Sequence, residues 1–267
     1  MADSRGRVLI IAGSDSGGGA GIQADIKTVT ALGGYAATAI TAITVQNTLG
    51  VHGVHAIPPA MVEAQARAVL DDLGADAVKT GMLGDVEMVE RVAAILDTVR
   101  VPVVVDPVMV AKGGSNLLAP NAVDAVRALM IPRATVLTPN APEAEALSGL
   151  PVHTTDDLRR AGERLLTLGA QAVLMKGGHV EGDTVIDVLM TPDGETSFEG
   201  ERLDTRHTHG TGCTLASAVA AGLAQGLSLT EAVARAWAYV HEAMRQAPGF
   251  GAGHGPLDHA WPLRGKA

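Results

Sequence analysis

The chain has 267 residues, 47% of them hydrophobic and 18% charged, with a formal net charge of −9. That composition excludes a disordered polymer and suits one α/β domain, 1–267, with a well-buried core. No Lys/Arg cluster occurs and aromatic residues make up only 2%, so a nucleic-acid partner would meet neither electrostatic nor stacking equipment.

One cysteine leaves no internal disulfide and no Cys-based zinc site, which fits a reducing compartment. The apolar run before Gly13 is only about five residues, too short for a signal core or a membrane span. The expectation is a cytoplasmic protein with no membrane partner.

Val8-Leu9-Ile10-Ile11-Ala12 reads as a strand buried on both faces. It stops at Gly13-Ser14-Asp15-Ser16-Gly17-Gly18-Gly19-Ala20-Gly21, after which Ile22, Ile26, Val29 and Leu32 mark one face of a helix. A dinucleotide fingerprint fits this loop only with a misplaced third glycine, and no acidic residue follows in the context a ribose needs. The P-loop pattern is absent. The alternative is that the glycines let the backbone approach a small substrate, with Gly13 and Ala20 lining its pocket.

Gly33-Gly34 ends the helix, and residues 36–45, rich in Thr and β-branched side chains, predict a second strand. It runs into Gln46-Asn47-Thr48, where an amide offers a donor and an acceptor to a ligand, or where the chain merely turns. Residues 51–57 alternate and predict a short strand outside the main sheet. Helices are then expected over 60–73, 86–99, 119–129 and 156–168, alternating with strands at 77–80, 101–105, 134–138 and 172–176. That alternation means a parallel sheet covered by helices on both faces, whose ligands gather beyond the strands' carboxyl ends.

Three such ends carry chemistry. Asp106-Pro107 is either a turn or a carboxylate aimed at a ligand, and Lys112 in the same loop could reach an anion. Asn140-x-x-Glu143 is either a capping box or a place where Glu143 helps to hold a phosphate-bound magnesium. Lys176, ending a buried strand beside Gly177-Gly178, reads as a phosphate contact, because lysine is seldom buried without a partner. A hairpin around Pro192-Asp193-Gly194 turns the sheet edge antiparallel.

Thr208-His209-Gly210-Thr211-Gly212-Cys213 then leads into a run of small helix-forming residues to about Ala224. Either Thr211 caps an ordinary helix, or unpaired N–H groups around Gly210 and Gly212 converge into an anion hole. Cys213 in the first turn is either a small core residue or a reactive thiol whose pKa the helix dipole lowers. A last helix is expected over 229–244. Two carboxylates, a lysine and an anion hole at one sheet edge make up what phosphoryl transfer requires.

The stretches Ala12 through Asp25, Val45-Gln46-Asn47-Thr48, Asp106-Pro107-Val108-Met109, Thr138-Pro139-Asn140, Met175-Lys176-Gly177-Gly178-His179, Thr208 through Thr214 and Gly253-His254-Gly255-Pro256 together resemble the hydroxymethylpyrimidine and phosphomethylpyrimidine kinase branch of the ribokinase-like superfamily. The resemblance covers nearly the whole chain. It implies an α/β three-layer sandwich, a central mostly parallel sheet with a small lid around residues 36–57, and a homodimer. It also implies ATP-dependent phosphorylation of 4-amino-5-hydroxymethyl-2-methylpyrimidine and then of its monophosphate, in thiamine biosynthesis.

By the same resemblance, Gly13, Ala20, Gln46, Met82 and Val108 would surround the pyrimidine, with Gln46 on its aminopyrimidine edge. Lys176, Thr208 and Thr211 would contact ATP phosphates, while Asp106 and Glu143 would lie near magnesium, directly or through water. Cys213 stands where other ribokinase relatives usually carry aspartate as base, and it would take the hydroxymethyl proton. Two other functions are weighed: a pyridoxal kinase of the same branch, and a non-catalytic pyrimidine- or pyridoxal-binding protein.

Overall fold

A computed structural model describes residues 5–110, 114 and 117–264; Lys112 lies outside them. Among the described residues the strands are β1 (Arg7–Ser14), β2 (Tyr35–Asn47), β3 (Gly50–Ala56), β4 (Ala77–Thr80), β5 (Val103–Val105), β6 (Val136–Leu137), β7 (Val173–Met175), β8 (Thr184–Thr191) and β9 (Gly194–Glu201). They form one sheet in the order β3-β2-β1-β4-β5-β6-β7-β8-β9. The six strands from β2 to β7 pair in parallel, and β3, β8 and β9 extend the sheet antiparallel at its two edges.

The helices are α1 (Gly21–Ala31), α2 (Pro59–Asp72), α3 (Val86–Leu96), α4 (Ala122–Ala125), α5 (Ala141–Ser148), α6 (Thr155–Thr167), α7 (Thr211–Ala224) and α8 (Leu229–Arg245). Strand alternation divides the core in two. Leu9, Ile11, Val78, Val105 and Leu137 face α2 to α6, whereas Val8, Ile10, Val104, Val136 and Leu174 face α1, α7 and α8. Of α7, every residue from Thr214 to Gly222 is buried, mostly Ala, Ser and Gly, so its backbone lies close against the sheet. Among the described residues no helix is long and apolar enough to cross a membrane.

The structure corrects three expected elements. Residues 51–57 do not stand outside the sheet: β3 is its edge strand, paired with β2 from Ala42↔Ala56 to Asn47↔Gly50. The reason is that β2 bounds the parallel strands, so its edge away from β1 carries unpaired N–H and C=O groups, and β3 satisfies them. The helix expected over 119–129 is α-helical only in α4, after which the winding widens through Val126–Met130 and tightens through Ile131–Arg133. Pro132 accounts for the change, because proline can neither donate the i−4 bond nor clear the preceding turn. The helix expected to reach residue 99 ends at Leu96.

Candidate active site

Strand ends β1, β4, β5, β6 and β7 open onto one cleft of about 470 Å³. All the candidate residues border it: Gly13 and Ala20, Gln46, Met82, Val108 and Asp106, Glu143, Lys176, and Thr208 with Gly210 through Cys213. They fall into two groups.

On the glycine-loop side, the Asp15 carboxylate, only 2% exposed, organises the turn after β1. It accepts the N–H groups of Gly17 (2.8 Å), Gly19 (3.0 Å) and Ala20 (2.8 Å), and it meets His209 Nε2 at 2.8 Å. Burial works to raise its pKa, but the His209 bond and the Ala20 and Gly17 donors outweigh burial and hold it below the usual value. His209 belongs to the loop before α7, so this pair ties the two glycine loops together. They touch backbone to backbone: a Cβ on Gly210, whose φ is 84°, would collide with the Gly19 carbonyl. Met82 packs its methyl group over Gly13, where a Cβ would stand 2.7 Å away. Gln46 reaches in from the β2–β3 hairpin, 3.2 Å from Thr44 Oγ1 and 3.5 Å from His209 Nε2.

On the opposite side, Lys176 Nζ lies 3.3 Å from Asp106 Oδ1 and 3.9 Å from Glu143 Oε2. Burial disfavours its charge, yet Asp106 and Glu143 hold its pKa above that of an ordinary lysine. Asp106 is 2% exposed, and its Oδ2 has no hydrogen-bond partner among the described residues. Such a buried, unpaired oxygen costs free energy unless a ligand answers it.

The capping box is real: Glu143 N donates to Asn140 Oδ1 and Asn140 N donates to Glu143 Oε2, both at 2.9 Å. Burial pushes the Glu143 carboxyl up to about 7 against the pull of Lys176, and Asp106 pushes the same way. Among the described residues no group of three or more His, Cys, Asp or Glu could hold a metal by itself. Asp106 suits one through its spare oxygen, whereas one Glu143 oxygen already serves Asn140. A magnesium here would draw most of its ligands from phosphate and water, as that ion commonly does.

Gly210 is the residue before α7 and stands in the left-handed region, with no side-chain cap. The Thr211 reading as a cap is therefore wrong: Thr211 is the first helical residue, and its hydroxyl donates to Thr208 O at 3.0 Å. The Thr211 N–H donates to Thr208 O, whereas Gly212 and Cys213 have no carbonyl partner for their N–H groups within the helix, and both residues border the cleft. Gly212 leaves room beside Lys176, since a Cβ there would sit 3.2 Å from Nζ. The surroundings of the Cys213 thiol oppose the lowered pKa expected of a first-turn cysteine. Burial pushes Cys213 up to about 12, helped by Asp25 and Asp106 and opposed by Lys79 and the Gly21 N–H. Desolvation of the thiolate exceeds what a helix dipole offers.

Two features escaped the sequence reading. One is a wholly buried ion pair, Lys79 with Asp25; the signal was a lysine in the middle of a short parallel strand. The other is a second cleft of about 260 Å³ that shares Asn140, Lys176, Thr208, Thr211 and Gly212 with the first. Its far wall is apolar, from Leu203, Leu215, Trp237, Val240 and Met244, and α8's helical pattern gave no hint of it.

Comparison with known proteins gives one family match and two kinds of kinase among the relatives. The family described as phosphomethylpyrimidine kinase matches residues 15–258. A hydroxymethylpyrimidine/phosphomethylpyrimidine kinase of Streptomyces coelicolor is 52% identical, the alignment covering 96% of this chain and 95% of that one. The thiamine biosynthesis bifunctional protein ThiED of Geobacter sulfurreducens is 51% identical over 96% of this chain, which spans only 52% of that longer protein. Among solved structures, the ADP complex of Bacillus subtilis pyridoxal kinase superposes with a TM-score of 0.90 at 39% identity, covering 97% of this chain and 98% of that one.

Proposed function

This chain belongs to the phosphomethylpyrimidine kinase family, and from that premise we propose that it is an ATP-dependent, cytoplasmic kinase of thiamine biosynthesis, acting as one catalytic unit over residues 1–267. It phosphorylates 4-amino-5-hydroxymethyl-2-methylpyrimidine and then the resulting monophosphate. The observation that carries the reading is the meeting of two clefts at Lys176, Thr208, Thr211 and Gly212. A small ring on one side and a nucleotide on the other would bring acceptor and phosphoryl group together at that junction, so that positioning and electrostatics supply the catalysis.

In the first cleft Gln46 pairs with the aminopyrimidine edge, while Met82 and Val108 flank the ring and the bare backbone at Gly13 and Ala20 lets it approach. In the second, the apolar wall takes the nucleobase and Lys176, Thr208 and Thr211 hold phosphates, with backbone donors at Gly210 and Gly212 on the transferred group. Magnesium, when bound, neutralises phosphate charge; Asp106 would hold it, with Glu143 adjoining through water. Cys213 takes the hydroxymethyl proton in the first round. The second acceptor is a phosphate, already ionised near neutral pH, and needs little base. Exposed Ile43, Val45, Leu49 and Val54 on the β2–β3 hairpin support a homodimer joined through the lid.

Mass-resolved products after incubation with magnesium, ATP and the hydroxymethylpyrimidine test the reading. Monophosphate followed by diphosphate is expected. Monophosphate alone, with pyridoxal phosphorylated as fast, would favour a pyridoxal kinase. No transfer to either alcohol would leave a binding protein.

A further inference from the structure

Residues 13–21 include five glycines, so the loop after β1 has few side chains by which to pack, and its backbone has no preferred course of its own. One buried carboxylate supplies that course. Asp15 takes the Gly17 N–H on Oδ1 and the Gly19 and Ala20 N–H groups on Oδ2. Its own N–H donates to Gln23 Oε1 of α1 at 2.8 Å, and Gln23 Nε2 donates to Ser14 Oγ at 2.7 Å, which fastens the turn to the helix that follows it.

A further bond on this carboxylate leaves the loop altogether. His209, 194 positions along the chain, meets Oδ2 at 2.8 Å. An ionised carboxylate only accepts, so His209 Nε2 carries the hydrogen and donates. Both side chains are buried, and the imidazole lies on Gly19, where a Cβ would be 2.5 Å from Cδ2. Stability does not account for the pair, because a buried polar pair generally contributes no more than apolar side chains of the same volume.

Its placement does account for it. Thr208, Thr211 and Gly212, the neighbours of His209, border both clefts, whereas Gly13, Ala20 and Gly21 border the first. Ala20 hangs from the same Oδ2 oxygen that holds His209. A single oxygen thus joins a wall of the first cleft to the loop that leads into α7.

We propose that His209 is a positioning residue for phosphoryl transfer, acting through Asp15: their hydrogen bond fixes the acceptor loop against the phosphate loop and sets the approach of the acceptor oxygen to the γ-phosphorus. The inference rests on the reading that places the acceptor in the first cleft and the nucleotide in the second. A displacement of about 1 Å between reacting groups can cost about 10²-fold in rate. With the loops out of register, water takes the acceptor's place: its oxygen bonds the γ-phosphorus, the bond from phosphorus to the bridging oxygen breaks with its electron pair leaving on ADP, and a proton passes to solvent. The products are then ADP and inorganic phosphate.

His209→Leu removes the donor and keeps an apolar filling. With the hydroxymethylpyrimidine as acceptor, kcat should fall about 10²-fold in both rounds while KM for ATP stays within about threefold. Inorganic phosphate formed per phosphorylated product should rise about tenfold. His209→Gln sets an amide N–H where the imidazole Nε2–H stands, and should recover at least about tenfold of the lost kcat and lower the share of inorganic phosphate. Wild-type kcat and phosphate share in folded His209→Leu would overturn the inference. So would equal losses in the Leu and Gln variants with the phosphate share unchanged, since the shape of the ring, not its hydrogen bond, would then be what matters. Should His209→Leu not fold, His209→Asn puts the same question with an amide too short to reach Asp15, and wild-type kcat in that variant overturns the inference equally. A wild-type enzyme that transfers phosphate neither to this alcohol nor to pyridoxal overturns the two-cleft reading and the inference with it; wild-type transfer matched by the variants overturns the inference alone.

Discussion

On the face of the sheet covered by α2 to α6, Leu9, Ile11, Val78, Val105 and Leu137 meet large apolar side chains such as Val92, Leu158 and Leu165. On the other face the same strands meet α7, whose buried residues include Ala216, Ser217, Ala218, Ala220, Ala221 and Gly222. The buried charged residues contributed by the described strands are Lys79 and Asp187. Lys79 pairs with Ile10, and Asp187 lies between Ile186 and Val188 of the first face, so both point to the α7 side. One face fills volume. The other gives up volume so that a helix N-terminus and its backbone donors can come close to the strand ends, and it spends its polar groups there. Stability and chemistry should therefore be separable by face.

The largest expected effect is on the chemical face. Cys213→Ala should lower first-round kcat by about 10²–10⁴ while the second round loses far less, with thermal melting almost unchanged; equal losses in both rounds would remove the distinction between the two acceptors. Gly210→Ala comes next. Its left-handed backbone and the contact with the Gly19 carbonyl forbid a Cβ, so the donor loop must shift and kcat should drop by about 10²–10³ in both rounds. A round-specific loss would instead place Gly210 on the acceptor side.

Leu165→Ala on the volume-filling face should cost about 2–5 kcal/mol of stability in denaturant unfolding, with kcat in the folded enzyme within about twofold. A large fall in kcat would break the separation of faces. The effect confined to a pH window is Asp187→Asn. Burial raises the Asp187 carboxyl to about 6, against the Gly177 N–H and Lys176. The folded state thus holds a proton that the unfolded chain gives up near pH 4, so wild-type stability falls as pH rises through that window. The variant should match wild type near pH 4 and exceed it by up to about 3 kcal/mol near pH 8, read from thermal melts across pH. A gain at low pH would contradict the sign.

Much of this arrangement was legible from local pattern. The run 8–12 announced a buried strand, and the loops ending in Gly13, Asp106, Asn140 and Lys176 announced where strand ends meet. The candidate residues drawn from them do border one cleft. What stayed hidden was relational. Lys79 was visible as a residue, but its partner Asp25 is 54 positions away, on a helix whose pattern showed only an apolar stripe. The thiol of Cys213 was judged by its helix position, although the strands and loops packed around it decide its proton. The edge pairing of β3 depended on β2 lying outermost among the parallel strands, a strand order that alternation alone does not reveal.

Periodicity, glycine placement and motif spacing by themselves determined the alternating α/β architecture, the loops that carry chemistry and the family resemblance, because each is a property of neighbouring residues and of backbone freedom. Tertiary structure alone decided which carboxylate oxygen is left unpaired at Asp106, that burial pushes the Cys213 thiol upward, and that a buried lysine stands under α7. Charge interactions and desolvation depend on distances through space, and those exist only once the helices have packed on the sheet.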